Sequence, residues 1–204
     1  MMTGGFTTGA NIRSEVYTPP AGYKDTVSIT ERIFGTLTFD VDVVEEIERR
    51  EDLTQESRYL FGGILVLMVI FDMIVSMNNG LSPISAFLNA LITRGIEYVI
   101  YVFALVYIGR GFGGYQTKTT VDEMVRVLSY ALVATALADL FEILGLFVSI
   151  FNLLWFFGSL YAAAVFVYAV KRSLDQQWGT AIAVVIISYI VRKIGAIVLL
   201  SLIP

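Results

Sequence analysis

The chain contains no cysteine and no histidine in its 204 residues. Without cysteine there is no disulfide, no thiolate nucleophile and no Cys-ligated zinc or iron–sulfur cluster. Without histidine, Ser-His-Asp catalysis, His-ligated metal and His-ligated haem are excluded as well. No catalytic residue, metal site or cofactor is therefore expected. Charge is scarce too. Charged residues make up 16% and hydrophobic residues 56%, against a soluble norm of roughly 25% and 45–50%. Mean hydropathy is +0.73. A soluble domain of this balance would lack the polar surface to cover itself, so the composition predicts an all-α integral membrane protein. A net charge of −4 and a pI near 4.8 are wrong for nucleic acid, which selects basic surfaces.

What is present divides near residue 58. Residues 1–58 hold 6 basic and 11 acidic groups, net −5, and the remainder holds 8 and 7, net +1. The first thirty or so residues are rich in Gly, Thr, Pro and Ser without an apolar period, so residues 1–39 are expected to form a mobile N-terminal tail. No basic segment followed by an apolar run opens the chain, so no cleaved signal peptide is expected. Over 40–58, Val41, Val44 and Ile47 recur at helical spacing among acids and arginines, which predicts a short amphipathic pre-span helix. It could lie at the interface or offer a partner a docking site. Its acidity argues against attraction to anionic lipid.

Five apolar stretches follow, each near the ~20 residues that cross a bilayer. They fall at 59–77, 84–108, 121–144, 151–170 and 180–203, and predict a five-span transmembrane helix bundle over 59–204. Asn78-Asn79-Gly80 with Pro83, Gly109 to Gly114, Gly145 to Asn152 and Lys171 to Gly179 punctuate them. Thr120 with Glu123 reads as a capping box at the third span. Arg49, Arg50, Arg58, Arg110, Lys118, Arg126, Lys171 and Arg172 all fall on one side of the predicted spans, and the opposite turns hold no basic residue. That asymmetry predicts a cytoplasmic N-terminus and an outside C-terminus.

The spans carry seven charges: Asp72, Arg94, Glu97, Asp139, Glu142, Arg192 and Lys193. Each costs about 2.5–3.5 kcal/mol if it faces lipid at mid-bilayer, so most must turn inward and pair. Arg94 and Glu97 are opposite in sign at i,i+3. Asp139 and Glu142 are like in sign at i,i+3, so Arg192 or Lys193 is the expected partner for them, within one layer of charge. Three readings stay open: a structural ion-pair network, a solute, ion or proton pathway, and contact with another subunit's polar groups. Ala131, Thr135, Ala134 and Ala138 in the third span, and Gly158, Ala162, Ser159 and Ala163 in the fourth, are small-residue stripes that allow close helix packing, within the chain or between copies. Gly109, Gly111 and Gly114 match G-x-G-x-x-G literally. They follow an apolar helix rather than a strand, so they are expected to make a tight turn, not a nucleotide site.

The run Gly113, Gly114, Tyr115 and Thr117, then Val121-Asp122-Glu123 and Met124 through Ala131, resembles the Ypt/Rab-interacting protein (Yip) domain. There a Gly-rich turn leads into a helix of similar pattern. Trp155 in the fourth span, Lys171-Arg172-Ser173-Leu174 at its end and the pre-span segment Asp40–Ile47 extend the resemblance over about residues 38–204. The family's proline after the Tyr-Ala pair is missing, and Val41 stands where its pre-span proline would be. The resemblance implies five spans and a cytoplasmic N-terminus. Eukaryotic members engage prenylated Rab GTPases in vesicle traffic. The pattern here is closer to prokaryotic members, which implies a plasma membrane, and no GTPase-binding residue carries over. The expected function is that of a non-catalytic multi-pass organiser, adaptor or accessory subunit of a larger membrane complex. Its expected partners are membrane lipids and a membrane protein or a second copy of the chain. The alternative is a small transporter or channel that uses the intramembrane charges. Asp139 and Glu142 as an aspartyl catalytic pair is a third and weaker reading.

Overall fold

Short side-chain caps decide where this chain turns helical. The computed structural model describes residues 27–113 and 119–201. In it the Glu31 amide donates to Ser28 Oγ at 3.2 Å and the Ser28 amide donates to Glu31 Oε2 at 2.8 Å. This capping box starts helix α1 (Ile29–Leu37). Asp40 accepts from the amides of Asp42 and Val43 and starts α2 (Val41–Arg49). Residues 29–37 are thus not the tail expected over 1–39; residues 1–26 lie outside the described residues. The buried face of α1 is Arg32, Gly35 and Thr36. That face is polar or small, so no apolar stripe announced it.

Between α1 and α2, Phe39 takes a left-handed backbone, φ 61°, which is costly for a bulky residue. Its ring sits edge-on to Tyr161 and Tyr168 at 6.0 and 5.2 Å. Tyr161 donates to the Leu37 carbonyl, and Tyr168 to that of Phe39 at 3.1 Å. The corner is therefore pinned to the fourth span. The pre-span helix expected over 40–58 stops at Arg49. Arg50 is extended, a 3₁₀ turn covers Glu51–Leu53, and Thr54 already belongs to the first span.

The spans are α3 (Thr54–Asn78), then α4 (Pro83–Ala90) running through a π turn at Leu91–Ile96 into α5 (Glu97–Gly113), then α6 (Val121–Gly145), α7 (Ile150–Ser173) and α8 (Trp178–Ser201). Among the described residues, five helical stretches are long and apolar enough to cross a membrane, so the chain is a multi-pass helical membrane protein. Ser82 caps α4, with Pro83 in its first turn, and Thr120 with Glu123 forms the expected capping box on α6. Gly109 and Gly111 are helical, within α5, rather than in the turn expected of them. Gly109 is where the turn after α7 presses on α5, because a Cβ there would lie 2.6 Å from Leu174. Gly114, Tyr115, Thr117 and Lys118 lie outside the described residues.

Helix α6 is central. Over half of its most apolar stretch, 56%, is buried, against 17% for α3. It packs along α3 and α7, while α5 packs along α8. Gly158 of α7 lies against Ala138 of α6, with 3.4 Å for a Cβ. The stripe that Gly158 opens thus serves packing within the chain. The end of the bundle beneath α1 and α2, here the basic end, is tied by arginines. Arg32 pairs with Glu56 at 2.6 Å, and Glu56 also accepts from Tyr130. Arg126 donates to Thr54 Oγ1 and to the Glu48 carbonyl at 2.9 and 2.8 Å. Arg172 pairs with Glu45 at 3.6 Å.

A Cβ at Gly35 would stand 2.7 Å from both methyls of Val43, a stiff β-branched side chain. At Gly111 it would meet no atom of the described residues within 4 Å. Gly35→Ala should therefore destabilise the detergent-solubilised protein by about 1–3 kcal/mol through overpacking. Gly111→Ala should leave stability unchanged or raise it by up to about 1 kcal/mol. Thermal unfolding of both variants checks the contrast.

Candidate functional site: a charge-lined cavity within the spans

The π turn decides where the intramembrane charges point. It bonds i to i+5 rather than i to i+4, so residues three apart no longer stack on one face. Arg94, inside the turn, and Glu97, just after it, part company instead of forming the expected i,i+3 pair. Arg94 Nε donates to Asp72 Oδ2 of α3 at 2.7 Å, and its Nη2 lies 3.5 Å from Asp139 Oδ1 of α6. Thr93 also reaches Asp72, at 3.4 Å. Glu97 turns to α8 instead, accepting from Arg192 Nε at 2.6 Å and from Lys193 Nζ at 3.0 Å.

Two groups of charge result. Asp72, Arg94 and Asp139 join α3, the π turn and α6, with one more negative charge than positive. Glu97, Arg192 and Lys193 join α5 to α8, with one more positive than negative. The expected pairing of Asp139 or Glu142 with Arg192 or Lys193 is therefore corrected: Arg94 takes Asp139, and Glu97 takes both cations of α8. Glu142, half-buried, joins none of these pairs among the described residues.

Between the two groups lies a cavity of about 520 Å³. Arg94, Asp139 and Glu142 form one wall, and Arg192 with Tyr98, Tyr101 and Tyr189 forms the other. Thr135, Ala138, Ser159, Ala162 and Ala163 are small, and they leave the space open between α6, α7 and α8. Trp155 stands at one end, and Phe166, Val167 and Val185 line the other. Ring faces shield the guanidinium of Arg192, whose central carbon lies 4.3 Å from the Tyr98 centroid and 5.5 Å from that of Tyr101. Tyr101 in turn stacks on Phe166 at 5.2 Å. Such cation–π contacts are worth about 2 kcal/mol when desolvated.

All seven charges singled out in the sequence thus gather around one region, six of them in ion pairs. Sequence reasoning missed Tyr98, Tyr101, Tyr189 and Thr93. The signal was three tyrosines in apolar spans, each within a few residues of an arginine, lysine or glutamate. No family model, no curated protein and no solved structure matches the chain.

Glu97 is 2% exposed and balances two cations. Glu97→Gln should therefore cost about 3–5 kcal/mol, because Arg192 is left buried and uncompensated. Adding Arg192→Met should recover part of that loss, with a coupling of about 0.5–3 kcal/mol. The cycle of Asp139→Asn with Arg192→Met should show a smaller coupling than the Glu97 cycle, because the two side chains line one cavity without a direct ion pair. Thermal unfolding in detergent measures both cycles.

Proposed function

We propose that this protein is a non-catalytic multi-pass organiser or adaptor of the plasma membrane, acting as a scaffold or accessory subunit in a larger membrane assembly. The observation that carries this reading is the platform that α1 and α2 build against α6 and α7 toward the basic end. Its inner side is clamped to the spans by Arg32 and Arg126, and by Tyr161 and Tyr168 at the α1–α2 corner. Phe34 of α1 is 62% exposed, and Ile29, Glu31 and Asp42 are exposed on the same two helices. A rigid shelf with an apolar knob among acids suits recognition by a basic-rimmed partner. Consumption of most intramembrane charge in ion pairs also supports a structural role over a conduction pathway. The Yip-like pattern of the sequence points the same way.

Arg49, Arg50, Arg58, Arg110, Arg126, Lys171 and Arg172 cluster at the platform end, and this supports a cytoplasmic platform under the positive-inside rule. One variant tests side and partner together, since the chain has no cysteine of its own. In Phe34→Cys, a membrane-impermeant maleimide should label intact cells poorly and permeabilised cells fully. A photo-crosslinker carried on that cysteine should join one partner in stoichiometric yield in native membranes. Labelling of intact cells would reverse the orientation. Absence of any adduct, with the chain recovered alone, would remove the adaptor reading.

A further inference from the structure

We propose that the cavity between α6, α7 and α8 binds the headgroup of an amine-bearing phospholipid, its ammonium against Asp139 and Glu142 and its phosphate against Arg192. The inference goes beyond the adaptor reading and does not rest on it. It begins with an unsatisfied carboxylate. Asp139 is 6% exposed, it stands in the cavity wall, and its Oδ2 has no hydrogen-bond partner among the described residues. Its other oxygen shares Arg94 with Asp72, so one cation serves two acids before Glu142 is counted. Water could satisfy a lone pair there but would not balance the charge. An ammonium does both.

The opposite wall offers the complementary chemistry. A guanidinium has five N–H donors. Arg192 spends only its Nε, on Glu97, and no other described acceptor takes its remaining N–H groups. Tyr98 and Tyr101 hold the guanidinium by its face, which leaves its edge for a bidentate anion such as phosphate. A ligand with a cation and an anion on a short linker fits both walls at once.

Shape favours a lipid over a free zwitterion such as phosphoethanolamine or an amino acid. At 1.5 Å per residue, Asp139 lies about 9 Å from the Gly145 end of α6, and Arg192 about 21 Å from the Trp178 end of α8. The polar groups thus sit toward the end away from the platform. Ala163, Phe166, Val167 and Val185 also line the cavity, and their positions along α7 and α8 put them nearer the basic end, an apolar stretch that suits an acyl chain. The cavity is also open sideways. Trp155, Ile186 and Tyr189 line it and are 37%, 54% and 48% exposed on the flank of α7 and α8, so a lipid can enter from the bilayer without crossing it.

The full chain in detergent, equilibrated with equimolar phosphatidylethanolamine and phosphatidylcholine, provides the test through native mass spectrometry of retained lipid. Choline has no N–H to donate to a carboxylate. Phosphatidylethanolamine should be retained about tenfold over phosphatidylcholine, the effect of a charge-assisted hydrogen bond. Glu142→Gln, which breaks no pair among the described residues, should lower that preference, and Asp139→Asn should lower it further. Ala163→Phe should reduce retention of both lipids by filling the groove. Equal retention of the two lipids by the wild type overturns the proposal, as does an unchanged preference in Glu142→Gln and in folded Asp139→Asn. If Asp139→Asn does not fold, Glu142→Gln decides. Free phosphoethanolamine displacing the lipid at equal concentration overturns the lipid assignment and makes the site one for a soluble zwitterion.

Discussion

The structure depends on a guanidinium that cannot face lipid. Arg94 sits in the second span, where an exposed cation would cost several kcal/mol, and it is neutralised by drawing α3 and α6 to it through Asp72 and Asp139. That demand fixes the order of three helices more firmly than apolar packing can, since lipid tails compete on equal terms for leucine and valine. The π turn is part of the same solution. It releases Glu97 from the Arg94 face and sends it to α8, so one widened turn serves two networks.

The two networks leave a consequence in the middle of the bundle. Each is unbalanced, one toward negative and one toward positive, and they face each other across a gap instead of merging. The gap persists because α6 and α7 meet through small residues. Gly158 against Ala138 lets their backbones close up, while Ser159 and Ala163 project too little to reach α8. On the α8 side, Arg192 is committed to Glu97 and braced by Tyr98 and Tyr101, so it is not available to close the gap. Stability and cavity thus have one origin. The same rigidity extends to the platform, where Arg32, Glu56 and Tyr130 repeat the device of a buried arginine tied to a carboxylate.

Much of the architecture was legible in the sequence. Hydropathy marks long spans because a helix in lipid must satisfy its own backbone and shed polar side chains, and the span positions read that way agree with the helices found. The Thr120–Glu123 box was equally visible, being local. The seven charges were identifiable by their cost. Their pairing was not, because it turns on how far α4 and α5 are rotated by a π turn that leaves no compositional mark in Leu91–Ile96. Helix α1 escaped notice because its buried face is Arg32, Gly35 and Thr36, the reverse of an apolar stripe. Gly109 resembles a turn signal in the sequence but marks a close approach to Leu174. Both errors have the same cause, since residues chosen for a tertiary neighbour carry no local signature.

Arg94 organises the spans by serving two carboxylates at once. Thermal unfolding of three variants in one detergent tests this most directly. Arg94→Met should lower stability by about 3–5 kcal/mol, because buried Asp139 and half-buried Asp72 lose their cation. Arg94→Met with Asp72→Leu should recover part of that loss, and the further change Asp139→Leu should recover most of it. A neutral Arg94→Met, or a triple variant no more stable than the single one, would contradict the account.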